Sequence, residues 1–358
     1  MSIALADLPA EVLIDILSDA CTDSGLTGCS LTSVSRDFRA LCLWSGVDIQ
    51  CAAVYGLERM RKFLVMIERR DRDARRVKHL FLTDRVSVDD GFLPSDSCFD
   101  MERLTTDLDK LPACWLNRIL HAISPYHLKT LTILMPCALL TTVTAPSIFS
   151  IPFPSLSELT LHVSVGPCFF DDFSAISSLK RLHIAAFREL PGDIGSSISK
   201  VAPTLTHLRI SGVTNPLWYG NLPEVLREYV PEEPSPPSPV ISKPPSAFPI
   251  PSPLDTSLPG SLPPSLHDVI IGFAPFYQLA VRNFERRKIA YFQTAKELKR
   301  IMPPDEPNTT REKRLVVLDP PPVTEEDERD DVLRERYKLI RMEWEERILG
   351  DEGCWKVA

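Results

Sequence analysis

With 358 residues, 44% of them apolar and 25% charged, the chain has the composition of a globular protein long enough for more than one structural unit. A formal net charge of -8 excludes the broad basic field of a general nucleic-acid binder. No run reaches the ~18 consecutive apolar residues of a membrane span, and the nine cysteines are scattered, odd in number and without a C-x-x-C pair, which argues against a disulfide framework or structural zinc.

Residues 1–7 have no basic region ahead of an apolar run and no small-residue cleavage site, so no secretory signal is expected. Buried free thiols in a reducing compartment then place the chain in the cytoplasm or nucleus. Residues 8–20 read as an amphipathic helix. Pro9 suits its first turn, Glu11 suits the positive end of its dipole, and Val12, Leu13, Ile16, Leu17 and Ala20 share one face. Gly25 and Gly28 interrupt the pattern. A second helix is expected over about 29–43, with Leu31, Val34, Phe38, Leu41 and Cys42 inward and Arg36, Asp37 and Arg39 outward. So short a pair cannot bury its apolar surface alone, and must pack on the rest of the chain as a cap or on a partner.

The segments LADLPAEVLIDIL and LTSVSRDFRAL together resemble the F-box family. Leu8, Pro9, Glu11, Val12 and Leu13 match its opening helix; Leu31, Val34, Ser35, Arg36, Phe38 and Arg39 match its later one. The likeness covers about residues 5–45 and departs at 21–28, which are polar and glycine-containing where the family often has another leucine-rich turn. The resemblance implies docking to the Skp-type adaptor of a cullin–RING (SCF-type) ubiquitin ligase, while the remainder selects a protein substrate. Leu8, Pro9, Val12, Leu13, Ile16, Leu17, Leu31, Val34 and Ser35 would carry that adaptor contact.

Beyond residue 46 a short pattern, apolar-x-x-apolar-x-apolar, recurs. It runs through Val77, Leu80, Leu82; Leu128, Leu131, Ile133; Leu156, Leu159, Leu161; Leu179, Leu182, Ile184; Leu205, Leu208, Ile210; and Leu266, Val269, Ile271, with a degenerate copy at Leu315 and Val317. The last two positions of each copy predict a short strand with one buried face. Leu159, Leu182 and Leu208 stand 23 and 26 residues apart. From Leu208 to Val269 the gap is 61, but residues 231–264 hold 13 of the 33 prolines, and removing those 34 leaves 27. Proline denies helix and sheet their N–H donors, so an extended or disordered insertion is expected there. The spacing falls in the ~20–29-residue range of leucine-rich repeats, and an α/β, irregular leucine-rich-repeat solenoid is the fold expected.

Helices are further predicted near 111–123, over 217–229, over 283–301 and over 324–349. The last keeps Val332, Leu333, Tyr337, Ile340, Trp344 and Ile348 near helical spacing and is expected to cap the solenoid over its final strand, with Trp355 anchoring the tail. His162, His183 and His207 stand at related places in successive copies. His183 and His207 flank the second apolar position on opposite sides, so their side chains need not share a direction. The basic run 69–76 is interleaved with aspartates, which favours a solvated helix end or loop over a phosphate site.

No phosphate loop, nucleophile elbow, zinc-protease motif or dinucleotide fingerprint is present, so no catalytic residue, cofactor or metal is assigned. The expected organisation is an F-box-like motif over 1–46, a leucine-rich-repeat domain over 47–322 containing the insertion at 231–264, and a charged helix and tail over 323–358. The expected function is that of a non-enzymatic adaptor binding a Skp-type subunit and an unidentified protein substrate, with no nucleic acid or membrane partner. The alternative is a leucine-rich scaffold whose N-terminal helices are only a cap.

Overall fold

The computed structural model describes residues 8–84, 112–135, 151–163, 174–185, 193–213, 221–230, 261–274, 276–278, 284–302, 313–321, 323–325 and 329–356. The acidic stretch 85–100 and most of the proline-rich insertion, 231–260, lie outside them. Ser261 and Leu262, assigned to that insertion on composition, belong to the folded body: Leu262 is buried, and Ser199 Oγ donates to the Ser261 carbonyl at 2.6 Å.

Three helices open the chain where two were expected: α1 (Ala10–Ala20), α2 (Leu26–Val34) and α3 (Arg36–Ser45). The break falls at Ser35, whose backbone is extended (φ -155°, ψ 170°) and whose Oγ accepts the Phe38 N–H at 3.1 Å. A serine that caps a new helix competes with continuing the old one. Gly28, read as a breaker, lies inside α2 and is buried, because a Cβ there would sit 2.1 Å from the Asp48 carbonyl oxygen.

Eight strands form one all-parallel sheet: β1 (Cys51–Tyr55), β2 (His79–Thr83), β3 (Thr130–Met135), β4 (Glu158–Val163), β5 (Arg181–Ala185), β6 (His207–Val213), β7 (Asp268–Phe273) and β9 (Arg314–Val317), adjacent in chain order. β8 (Phe276–Gln278) and β10 (Val323–Glu325) pair separately in parallel. The apolar pattern is in register across the whole sheet. Ala52, Leu80, Leu131, Leu159, Leu182, Leu208, Val269 and Leu315 align in one row, and Val54, Leu82, Ile133, Leu161, Ile184, Ile210, Ile271 and Val317 in the next. Both rows face a single apolar core shared with α4 (Leu57–Glu68), α5 (Pro112–Ala122), α6 (Ile194–Val201), α7 (Leu222–Tyr229) and α8 (Phe284–Ile301).

The expected solenoid with a terminal cap is overturned; the α/β class stands. A single eight-stranded parallel sheet carries helices on both faces, and β3 is buried on both along its full length, while β6 and β9 are fully buried only toward the aliphatic core. Crossovers of one hand between sequential parallel strands all fall on one side, so α4 to α8 cover only that side. The long helix α9 (Arg329–Ile348) covers the other. Rather than closing the last strand, it lays Tyr337, Ile340 and Trp344 on Phe81 and Leu134 of β2 and β3, with Ala53 and Tyr55 of β1 at the margin. Parallel sheets are stable when both faces are covered. The alternation of apolar with polar or variable residues predicted one buried face only; the second face is covered as well over the central strands because its polar side chains meet α9 rather than solvent.

Thr324, expected to begin the C-terminal helix, pairs with Tyr277 in the small sheet instead. Gly350 follows the helix with φ +98°, a conformation glycine adopts without penalty. Among the described residues no helix is long and apolar enough to cross a membrane.

Candidate functional site

Two surfaces gather the side chains singled out by the sequence. The first is the N-terminal helical unit. Leu17, Cys42 and Val47 make a small core, joined by Ile14, Leu31, Phe38 and Leu41 at its edge. Leu17 and Leu31, expected to face a partner, are therefore spent on internal packing. Leu8 and Leu13 are half-buried, and Ser35 is exposed as the cap of α3. Pro9, Val12, Ile16 and Val34 are exposed, the last at 64%. Leu26 at 71%, Trp44 at 68% and Leu43 extend the same exposed apolar set and were missed on the sequence. Their signal was a helix register: splitting the second helix at Ser35 turns Leu43 and Trp44 outward.

The unit is fastened to the sheet's first edge. Arg70 at the end of α4 meets Asp48, in the turn after α3, by two hydrogen bonds of 2.8 and 2.6 Å, both side chains about 95% buried. Gln50 Nε2 donates to the Ser18 and Cys21 carbonyls, and Ser18 Oγ donates to Gln50 Oε1 at 2.8 Å. Gly46 at φ +75° ends α3 against the Ala74 carbonyl, where a Cβ would sit 2.2 Å away. The basic run is put to structural use here, since Arg75 Nε donates to the Arg70 carbonyl at 2.9 Å while Arg69 and Arg72 stay in solvent. Burial pushes the thiols of Cys21 and Cys42 up to about 11, so both are unreactive near neutral pH.

The second surface is the sheet face beneath α9. One row reads Cys51, His79, Thr130, Glu158, Arg181, His207, Asp268 and Arg314; the next reads Ala53, Phe81, Thr132, Thr160, His183, Arg209, Ile270 and Val316. His183 and His207 do share a direction, because positions either side of a core leucine differ by two and strands alternate faces. Buried Glu158 is the hub. Its Oε2 accepts from Arg347 Nε of α9 at 2.9 Å and lies 3.7 Å from Arg181, and its Oε1 accepts from Trp355 Nε1 at 3.3 Å. Trp355 thus anchors the tail as expected. Arg209 donates to the Cys354 carbonyl and approaches Glu343 of α9 at 3.8 Å.

His183 Nε2 lies 3.0 Å from Ser211 Oγ, and burial holds this imidazole well below its ordinary pKa. Burial, aided by Lys129 and Lys78, lowers His79 to about 4. Both rings are neutral at pH 7, suited to hydrogen bonding within a packed layer. Among the described residues no cluster of His, Cys, Asp or Glu has the arrangement to hold a metal ion. Neither a scan against protein-family models nor a search of curated proteins returns a match to this chain.

Proposed function

We propose that the chain is a binding adaptor whose N-terminal helices dock a Skp-type subunit of a cullin–RING ubiquitin ligase, while the sheet body holds a protein substrate. The observation that carries this reading is the set of large apolar side chains left exposed on α1, α2 and α3: Val12, Ile16, Leu26, Val34, Leu43 and Trp44. Small helices that only cap a sheet bury their apolar residues inward, and Leu17, Leu31 and Leu41 already do so. Six large apolar side chains left in solvent on one small helical unit favour an interaction surface there. The F-box resemblance names its partner, and tethering a substrate beside the ligase raises its effective concentration.

A second reading is favoured by the Asp48–Arg70 and Gln50 contacts, which make the three helices a closing cap of the sheet edge within a scaffold. A pull-down with purified Skp-type adaptor separates the two. Wild type is expected to bind, and Val12→Asp with Ile16→Asp is expected to weaken binding at least tenfold with an unchanged melting temperature, since both side chains are over 40% exposed. Absence of wild-type binding would sink the ligase reading and leave the cap.

A further inference from the structure

The two faces of the sheet hold their helices by different chemistry. Toward α4–α8 every strand contributes two buried aliphatic residues, whereas toward α9 the central strands present Thr132, Thr160, His162, His183, Glu158 and Arg209. Apolar clusters on that side lie at its two ends, around Phe81 and Leu134 of β2 and β3 and around Ile270 of β7, where Cys354 and Trp355 pack. Between them Tyr337 and Trp355 meet the rings of His162 and His207. Over the central strands between those ends, α9 is held by the Arg347–Glu158 pair and by the approach of Glu343 to Arg209. In buried pairs of this kind the desolvation cost offsets much of the attraction, so exchanging them for water or for another charged partner changes the free energy less than losing aliphatic burial does. The fit is also incomplete. Trp344 is 4% exposed at the centre of the contact, yet its indole N–H finds no hydrogen-bond partner among the described residues. Burial of Glu343 raises its carboxyl pKa, with Arg209 only partly compensating.

We propose that this sheet face is a helix-binding surface and that α9 with the Gly353–Trp355 turn is its built-in competitor. The partner it fits is a protein segment with the chemistry α9 itself displays: an amphipathic helix bearing aromatic and aliphatic residues at i, i+3 and i+7, as Tyr337, Ile340 and Trp344 are, with an arginine placed to reach Glu158. Such a segment binds in proportion to the fraction of molecules in which α9 is lifted. The inference is independent of ligase docking, which involves the opposite chemistry at α1–α3.

Hydrogen exchange on the full chain tests it first. The α9 amides are expected to exchange at least 100-fold faster than those of β4–β6; protection of α9 equal to the sheet's would overturn the proposal, because α9 would then open only with global unfolding. A labelled peptide of residues 329–356 is the second probe. Full-length Arg347→Gln and Trp344→Ala proteins are each expected to bind it at least tenfold more tightly than wild type and to retain sheet protection. Failure of both variants to bind, or loss of sheet protection in Arg347→Gln, would make α9 an obligatory layer of the fold.

Discussion

At the scale of single residues, the junction between the N-terminal helices and the sheet rests on a few side chains. The guanidinium of Arg70 and the carboxylate of Asp48 are both desolvated, and two hydrogen bonds between them compensate much of that cost. Removing one partner strands the other charge. Arg70→Ala is expected to lower unfolding free energy by about 3–5 kcal/mol in urea titration, while Arg70→Met with Asp48→Leu recovers most of that loss. None of this pairing was legible in the sequence. Arg70 sits among four other basic residues in the run 69–76, and nothing in a run of interleaved charges says which one turns inward. The exposed Val12, Ile16 and Val34 were legible as apolar, but whether each faces a core or a partner depends on how three helices pack.

At the scale of elements, periodicity located the two longest helices, α8 and α9, and missed α4, α6 and the break between α2 and α3. The spacing over 283–301 anticipated α8 almost residue for residue, since eighteen residues give the pattern room to repeat. The break between α2 and α3 was lost because apolar spacing continues through it. Ser35 provides the only local signal, and its hydroxyl is worth about 1 kcal/mol as a helix cap. Ser35→Ala is accordingly expected to destabilise by about 1 kcal/mol, with faster hydrogen exchange at Phe38, whose N–H loses its acceptor. β1 was missed because Ile49, Ala52 and Val54 carry the strand pattern with an alanine in the place other strands give to leucine or valine. For α9 the helix was anticipated and its site was not, since an apolar stripe states that something is covered and leaves open what.

At the scale of the whole molecule, a parallel sheet sandwiched between aliphatic packing on one side and a polar layer on the other ties stability to pH. His79 and His183 are held neutral by burial, so between pH 6.5 and about 4 the unfolded chain binds more protons than the folded one. Their contribution therefore favours unfolding increasingly as pH falls through that window and is constant above it. Urea titrations at pH 7 and pH 5 are expected to show this loss, and His79→Gln to show a smaller one; an identical pH dependence in the variant would remove His79 as a source. The sequence by itself determined the α/β class and the positions and register of seven of the eight strands of the main sheet, because leucines at a fixed offset in each copy can align only if successive strands pair side by side. It could not decide whether the sheet closes as an open repeat or as a layer covered twice. That choice turns on where residues 329–356 come to rest, a contact joining positions up to 197 apart, as in Trp355 to Glu158. No local spacing encodes such a contact; the energy of desolvating Glu158, and the groups that compensate it, exist only once the sheet has formed.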